Sequence, residues 1–222
     1  MFLYYLNPLP VKAHPWVYSW VRCAALKRFA PGDIGFIGAP WQLCPPSEGE
    51  YPDWVHGEVG EITDTGWDDA LKIEVPAGLC EQISDGQETP LDLLRAQALD
   101  GFQVYRDWLF EQLLPLRDRH HIEAIITHLN CRSLDDVAGY LRIPVIHEEA
   151  GNLREPAFKF STRFFDFRGA NGNSEFVQRF LGRGEMPAHC GGRVVDRYAT
   201  EATKAQMNAT GEPEFEVGVV LQ

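Results

Sequence analysis

Basic residues are scarce in this sequence, and that shortage excludes several classes of protein. The chain of 222 residues has 20 Lys and Arg against 32 Asp and Glu, which gives a formal net charge of −12. Nucleic-acid binding needs clustered Lys and Arg, as does a polybasic membrane-binding surface, so we expect no nucleic-acid partner. The sequence also lacks an apolar run of the ~20 residues that span a bilayer, and its start lacks the basic stretch of a signal peptide.

Cysteine is sparse as well, and the common cofactor motifs are missing. The five Cys are odd in number, and no two of them form a C-x-x-C pair. We therefore predict neither a disulfide framework nor a zinc site, and a reducing cytoplasm fits best. His147, Glu148 and Glu149 are adjacent potential ligands, but no spaced partner such as H-E-x-x-H accompanies them, so we predict no metal. The absence of G-x-G-x-x-G and P-loop signatures disfavours standard dinucleotide and triphosphate sites.

The composition is that of a globular protein, and apolar residues recur at the spacings of helices and strands. Hydrophobic residues make up 45% of the chain and charged residues 23%, enough for one large domain. Residues 2–6 predict a strand and residues 15–29 a helix. From residue 90 to about residue 119, apolar side chains recur every three or four positions, which predicts one long amphipathic helix that Pro115 ends or kinks.

The clearest unit is a strand, a helix and a second strand between residues 122 and 149. Residues 122–128 are apolar and β-branched, as in a buried strand. Ser133 with an acid three residues later predicts a capped helix through Leu141, and residues 143–146 form the second apolar run. This βαβ pattern predicts an α/β fold, a Rossmann-like and mostly parallel sheet flanked by helices. It places the residues from His147 onward at the carboxyl end of a parallel strand, where ligands bind in such folds.

Two polar clusters follow that strand. The first is a turn with a carboxylate at Glu149, a glycine at Gly151 and an anion-binding side chain at Arg154. The second cluster, residues 163–174, combines aromatic anchors with polar residues. In this cluster we predict an ion pair of Asp166 with Arg168 and a turn at Asn171-Gly172. An alternative interpretation is a strand-to-loop corner whose polar residues only serve the turn.

The order and spacing of these clusters resemble a known family. Residues 147–156 contain an E-x-G-x-x-R turn, and residues 164–174 contain an aromatic-Asp stretch followed by G-x-N-G. This arrangement resembles the retaining β-Kdo glycosyltransferases of bacterial capsule and lipopolysaccharide O-antigen assembly. The match is sharp over residues 147–176. The resemblance implies a fold of two Rossmann-like halves, of which the C-terminal half binds most of the donor substrate, CMP-Kdo.

The resemblance also implies a division of the chain and a role for each half. Residues 1–209 correspond to the N-terminal, acceptor-side domain, and residues 210–222 to a linker and the first strand of a C-terminal donor-binding domain. In the family, that strand leads through Leu-Gln, here Leu221-Gln222, to an Asp that serves as the covalent nucleophile. We therefore expect this chain to be an N-terminal half without transferase activity of its own. The expected partners are a saccharide acceptor and the CMP-sugar donor, with no cofactor.

The resemblance assigns roles to individual residues of the two clusters. Glu149 is predicted to be the catalytic carboxylate that handles the proton of the acceptor. Arg154, Gly151 and His147 are predicted to bind substrate, with Arg154 orienting Glu149 or engaging a sugar carboxylate. The residues predicted to shape the loop behind them are Asp166, Asn171 and Arg168.

Two alternatives to the transferase remain open at this point. One is a non-catalytic saccharide-binding or assembly module that uses the same edge of the sheet. The other is a carboxylate hydrolase that pairs Glu148 or Glu149 with Asp166, since glycosidases use two such groups across a cleft. For the transferase we expect a cytoplasmic location. Peripheral association with the inner face of the cytoplasmic membrane is a further alternative.

Overall fold

The computed structural model describes residues 1–8, 25–26, 28–43, 67–150, 159, 163–170, 174 and 200–210. Within these residues the chain forms a six-stranded sheet in the order β3-β2-β1-β4-β5-β6. Strands β1 to β5 pair in parallel, and β6 pairs antiparallel with β5. The predicted α/β fold with a mostly parallel sheet flanked by helices is thereby confirmed. The strands are β1 (Phe2–Tyr5), β2 (Ile34–Gly38), β3 (Leu71–Glu74), β4 (Ala124–Thr127), β5 (Val145–Ala150) and β6 (Arg163–Asp166).

Four of the described helices pack against one face of the sheet, and a glycine separates two of them. The long helix predicted from residue 90 is two helices, because Gly101 adopts a φ of +68° that breaks the right-handed path. The second of them continues past Pro115 to Arg119, so Pro115 does not end it. The described helices are α1 (Pro40–Leu43), α2 (Ala77–Ser84), α3 (Pro90–Leu99), α4 (Gln103–Arg119), α5 (Arg132–Leu141) and α6 (Glu201–Thr210).

Two apolar clusters pack on opposite faces of the sheet. We call the face against α2, α3, α4 and α5 the helical face, and Leu3, Tyr5 and Ile125 point into it. The opposite face, the aromatic face, is lined by side chains that include Tyr4, Phe36, Ile126 and Trp67. Neighbouring residues of β1 alternate between the faces, as the two-residue period of a strand requires. The central strands are therefore apolar on both faces, which is typical of a parallel sheet.

The predicted βαβ unit is present as β4, α5 and β5, with two differences in detail. First, β5 runs through Ala150, so His147 to Glu149 lie within the strand rather than beyond it. The reason is β6, whose backbone pairs with that stretch and places Phe165 opposite Glu148. Second, Ser133 lies inside α5 and does not cap it, because its hydroxyl accepts a hydrogen bond from the backbone N–H of Phe102 at 2.8 Å.

Several predictions fall outside the described residues. They concern most of the helix predicted over residues 15–29, most of the short strands and loops predicted over residues 32–65, and the strand predicted at 215–222. Of the predicted linker, Thr210 is the last residue of α6 and the rest is not described. Among the residues that are described, no helix is long and apolar enough to cross a membrane.

Candidate functional site

Polar side chains collect where β1, β4 and β5 reach their carboxyl ends. Because these three strands are parallel neighbours, their carboxyl ends meet at one edge of the sheet, which we call the carboxyl edge. Ligands of open α/β sheets bind outside this edge. The polar residues at or near this edge include Tyr4, His128, Asn130, His147, Glu148 and Glu149.

Tyr4, His128 and Glu148 form a compact cluster on the aromatic face. The carboxylate of Glu148 is buried, with 1% of the residue exposed, and the hydroxyl of Tyr4 donates a hydrogen bond to its Oε2. The Nε2 atom of His128 lies 3.7 Å from the same oxygen, and Nδ1 lies 3.2 Å from the backbone carbonyl oxygen of Glu148. A buried carboxylate needs a hydrogen-bond donor, here the hydroxyl of Tyr4, because an unsatisfied polar group is costly in the interior. The cluster therefore joins β1 and the turn after β4 to β5 through Glu148.

Strand alternation places the neighbouring carboxylate, Glu149, on the other face. Val145 packs with the helical-face cluster and Ile146 with the aromatic-face cluster. It follows that Glu148 shares the face of Ile146, whereas His147 and Glu149 share the face of Val145. Glu149 is half-buried, at the part of β5 that extends past the last residue of β4. The two glutamates are therefore adjacent in sequence but have separate surroundings.

His147, which is predicted to bind substrate, is buried against α5. Only 3% of the residue is exposed, and its Nε2 lies 3.7 Å from Oδ1 of Asp135. Burial lowers the pKa of His147, and the backbone and charge of Asp166 act in the opposite direction. Burial also raises the pKa of Asp135 to about 6, although the nearby Arg132 lowers it. Both pKa shifts favour the uncharged forms of the two side chains.

Asp166 shapes the segment that follows β6. Its Oδ1 accepts hydrogen bonds from the backbone N–H of Arg168 at 2.7 Å and of Gly169 at 3.3 Å. Such bonds from a carboxylate to the backbone two and three residues later are typical of a side-chain-stabilised turn. Arg168 is predicted to pair with Asp166 through its side chain, whereas the bond that the structure shows runs from the backbone N–H of Arg168 to Oδ1 of Asp166.

Asn130 is a residue of this edge that no sequence motif singles out. Its Oδ1 accepts a hydrogen bond from the backbone N–H of Ala170 at 2.7 Å, and its Nδ2 donates one to the carbonyl oxygen of Ala170 at 3.2 Å. The sequence signal that was available is position, since Asn130 follows a buried strand by three residues. Tyr4 and His128 were also missed, and the partner of Tyr4 lies 144 residues away in the chain.

The remaining predicted residues, Gly151, Arg154 and Asn171, lie outside the described part of the chain. Within the described part, no three His, Cys, Asp or Glu side chains converge to hold a metal ion. The groups that the carboxyl edge does present are a half-buried carboxylate at Glu149 and a buried Tyr-Glu-His cluster. Carboxylates, imidazoles and phenols can accept, donate or hold protons, so the chemistry that the edge supports is proton transfer and hydrogen bonding to a polar ligand.

One part of the chain matches a known protein family. Residues 86–175 match the Glycosyltransferase 99 family N-terminal domain. The matched stretch covers less than half of the chain, but it contains β4, α5, β5, β6 and every residue of the predicted site. The match supports a glycosyltransferase family. A search of the curated proteins finds no match to the chain.

Proposed function

We propose that the complete protein transfers Kdo from CMP-Kdo to a growing bacterial surface polysaccharide, with retention of configuration. The proposal is supported by the fact that the family match, the two motifs and the strands around Glu149 lie in the same stretch of the chain. The stretch that matches a glycosyltransferase N-terminal domain contains both motifs of the β-Kdo resemblance. It also contains the strands whose ends form the part of the carboxyl edge around Glu149. The match supports the transferase class, and the motifs supply the donor sugar and the stereochemistry.

The proposed reaction has two displacements at the anomeric carbon of Kdo. In the first, a carboxylate of the second domain attacks that carbon, and the bond to the phosphate oxygen of CMP breaks with its electron pair leaving on CMP. In the second, the acceptor hydroxyl attacks the same carbon and the covalent bond to the enzyme breaks. The acceptor hydroxyl loses its proton to a base during this step. We assign that base to Glu149.

The surroundings of the two adjacent glutamates favour Glu149 for this role. Glu148 is 1% exposed and accepts the hydroxyl of Tyr4, so a saccharide has no access to its carboxylate. Glu149 is half-buried at the carboxyl edge, on the opposite face of β5. A base needs to reach the proton that it takes, at a separation of ~3 Å or through one water. Of the two carboxylates, Glu149 is therefore the one that suits contact with an acceptor.

The other predicted residues keep supporting roles in the proposal. Arg154 provides a planar guanidinium for the sugar carboxylate, and Gly151 lets the backbone approach the substrate closely. The burial of His147 favours a role in holding β5 in place beneath the substrate. Asp166, with its bonds to the backbone of Arg168, shapes the loop that leads to Asn171.

The proposal also includes what the second domain contributes. That domain binds CMP-Kdo as the donor substrate and provides the nucleophile, and the acceptor polysaccharide approaches the carboxyl edge of the N-terminal domain. No cofactor takes part. The reaction takes place in the cytoplasm, with the complete enzyme at the inner face of the membrane where polysaccharide is assembled.

A donor panel with the complete protein tests the proposal. The protein is incubated with a saccharide acceptor and one donor at a time: CMP-Kdo, a second CMP-sugar or a UDP-hexose. We expect CMP release that requires both CMP-Kdo and the acceptor. Saccharide binding without CMP release would instead favour the binding module, and cleavage of a saccharide without any donor would favour the hydrolase. Either result contradicts the transferase.

A further inference from the structure

We propose that Asn130 is a positioning residue for the transfer reaction, an inference that rests on the proposed function. Its side-chain amide bonds both the N–H and the C=O of Ala170, at 2.7 Å and 3.2 Å. The two residues are 40 positions apart. The bonds therefore join the turn after β4 to the segment after β6, which leads directly into Asn171. We infer that Asn130 holds this segment in the position that the reaction requires.

The amide of Asn130 holds Ala170 in a way that apolar packing does not. Ala170 is buried, yet neither apolar cluster of the described residues includes it. The amide oxygen of Asn130 accepts from the backbone N–H of Ala170, and the amide nitrogen donates to its C=O. A neighbouring β-strand would form the same two kinds of bond. At the other end of the same segment, Asp166 bonds the backbone N–H of Arg168 and Gly169. The segment is thus held at both ends by side chains.

The turn after β4 contacts β5 and the segment that follows β6, and β5 and β6 are the paired strands of the antiparallel hairpin that carries the candidate residues. Asn130 bonds the segment after β6, and His128 of the same turn approaches the carbonyl oxygen of Glu148 in β5 at 3.2 Å. Glu149 is the next residue of β5. A displacement of ~1 Å of a positioned group can reduce a rate by ~10²-fold, because reacting atoms need a defined approach. A residue that sets the position of this hairpin therefore affects turnover without touching the substrate.

Ser133 offers a matched control for Asn130. Its hydroxyl also bonds the backbone N–H and C=O of a residue distant in sequence, Phe102, at 2.8 Å and 3.3 Å. That contact ties α5 to the residue before α4, and not to the segment after β6. Ser133→Ala therefore removes a contact of the same kind at a position three residues further along the chain. It is expected to affect folding stability but not the position of the segment after β6.

The experiment combines hydrogen exchange with kinetics on the complete protein. Asn130→Ala, Asn130→Asp and Ser133→Ala are compared with wild type for amide exchange over residues 167–172 and for kcat and KM with CMP-Kdo. In Asn130→Ala we expect exchange of these amides to rise ~10-fold, since two hydrogen bonds are lost. We also expect kcat to fall ~10- to 100-fold with KM for CMP-Kdo nearly unchanged. Asn130→Asp keeps the shorter bond, from Ala170 N–H. Its amide exchange and its kcat should therefore lie between those of Asn130→Ala and wild type.

The outcomes separate this inference from the proposed function. Raised exchange with reduced kcat in both Asn130 variants, and neither effect in Ser133→Ala, supports the positioning role. Wild-type kcat in Asn130→Ala overturns it, and so does a loss of kcat in Ser133→Ala as large as that in Asn130→Ala. A wild-type protein that does not use CMP-Kdo refutes the proposed function itself, and with it any role of Asn130 in that reaction.

Discussion

Glu148 and Glu149 are neighbours in β5, but the structure gives them opposite surroundings, and each therefore has its own prediction. Glu149 is half-buried at the carboxyl edge, where it is proposed to take the acceptor proton. Glu149→Gln keeps the shape of the side chain but removes the basic carboxylate. In the complete enzyme we expect kcat to fall ~10²-fold or more, the usual contribution of a general base. Near-normal turnover of CMP-Kdo would reject Glu149 as the base.

Glu148 is predicted to matter for stability rather than for proton transfer. Its buried carboxyl group accepts the hydroxyl of Tyr4, and removing one partner of a buried hydrogen bond costs about 1–3 kcal/mol. Tyr4→Phe and Glu148→Gln should each lower the free energy of unfolding by roughly that amount. The double variant should lose less than the sum of the two, because the side chains share one contact. Urea denaturation measures all three, and simple additivity would show that the contact is energetically unimportant.

The pair of Asp135 and His147 predicts a dependence of stability on pH. The pKa of Asp135 is raised by burial to about 6 in the folded protein, above the ~3.9 of an unfolded chain. The folded state therefore binds more protons between these values, and the Asp135 contribution to stability falls as pH rises through this window. His147 acts in the opposite direction: burial lowers its pKa, so its contribution falls as pH drops below the unfolded value of ~6.5.

Asp135→Asn removes the pH-dependent contribution of Asp135 to stability and leaves that of His147. The variant has no carboxyl group to ionise, so it avoids the cost of charging a buried side chain above pH ~6. We expect the melting temperature of Asp135→Asn, relative to wild type, to increase between pH 4.5 and pH 7. Thermal unfolding followed across this range measures the difference. A constant difference between the two proteins would contradict the raised pKa of Asp135.

At the scale of helices and strands, the break between α3 and α4 depends on one glycine. Gly101 has a φ of +68°, and a Cβ there would lie 2.6 Å from Nη2 of Arg106 and 2.9 Å from Oγ of Ser133. A left-handed conformation alone costs a non-glycine residue ~1–2 kcal/mol. Gly101→Ala should therefore lower the free energy of unfolding by about 2–3 kcal/mol once the close contacts are added.

Gly139, inside α5, is the matched control for Gly101. A Cβ there would meet nothing within 4 Å. Gly139→Ala should stabilise the protein by about 0.5–1 kcal/mol, because alanine loses less conformational entropy in a helix. Chemical denaturation of both variants tests the pair. Equal effects of the two substitutions would show that the backbone conformation at Gly101 is not what defines the break.

Elements with local signals are predictable from this sequence, and contacts between distant residues are not. The β4–α5–β5 unit follows from an apolar β-branched run, a helical pattern and a second apolar run, all within 30 residues. The break at Gly101 was missed because the apolar stripe continues in phase across α3 and α4. β5 was predicted too short because its last residues are polar, and only pairing with β6 extends it.

The candidate site was predictable to the same limited extent. Strand order alone places Glu149 at the carboxyl edge, because parallel strands bring their carboxyl ends together. The burial of Glu148 depends on the hydroxyl of Tyr4, which is 144 residues away. Alternation along a strand predicts that two neighbours face apart, but it does not predict which face holds a donor. The roles of Asn130 and His128 likewise depend on tertiary contacts that no local pattern contains.

At the scale of the whole molecule, we predict that the chain of 222 residues folds cooperatively. Folding is expected because both faces of the sheet carry apolar clusters of their own. Phe165 and Phe167, 59% and 70% exposed, leave apolar surface near the carboxyl edge that favours self-association. Urea denaturation of the chain tests the folding prediction, and a gradual loss of signal without a single transition would contradict it.

The most direct test of the central claim is the structure of the product made by the complete protein. The protein is incubated with CMP-Kdo and a saccharide acceptor, and NMR determines the anomeric configuration of the new Kdo linkage. We predict a Kdo-saccharide linkage with the configuration of the donor, because two displacements at one carbon restore it. A product with inverted configuration would contradict the covalent mechanism, and the absence of any Kdo-saccharide product would contradict the proposed function.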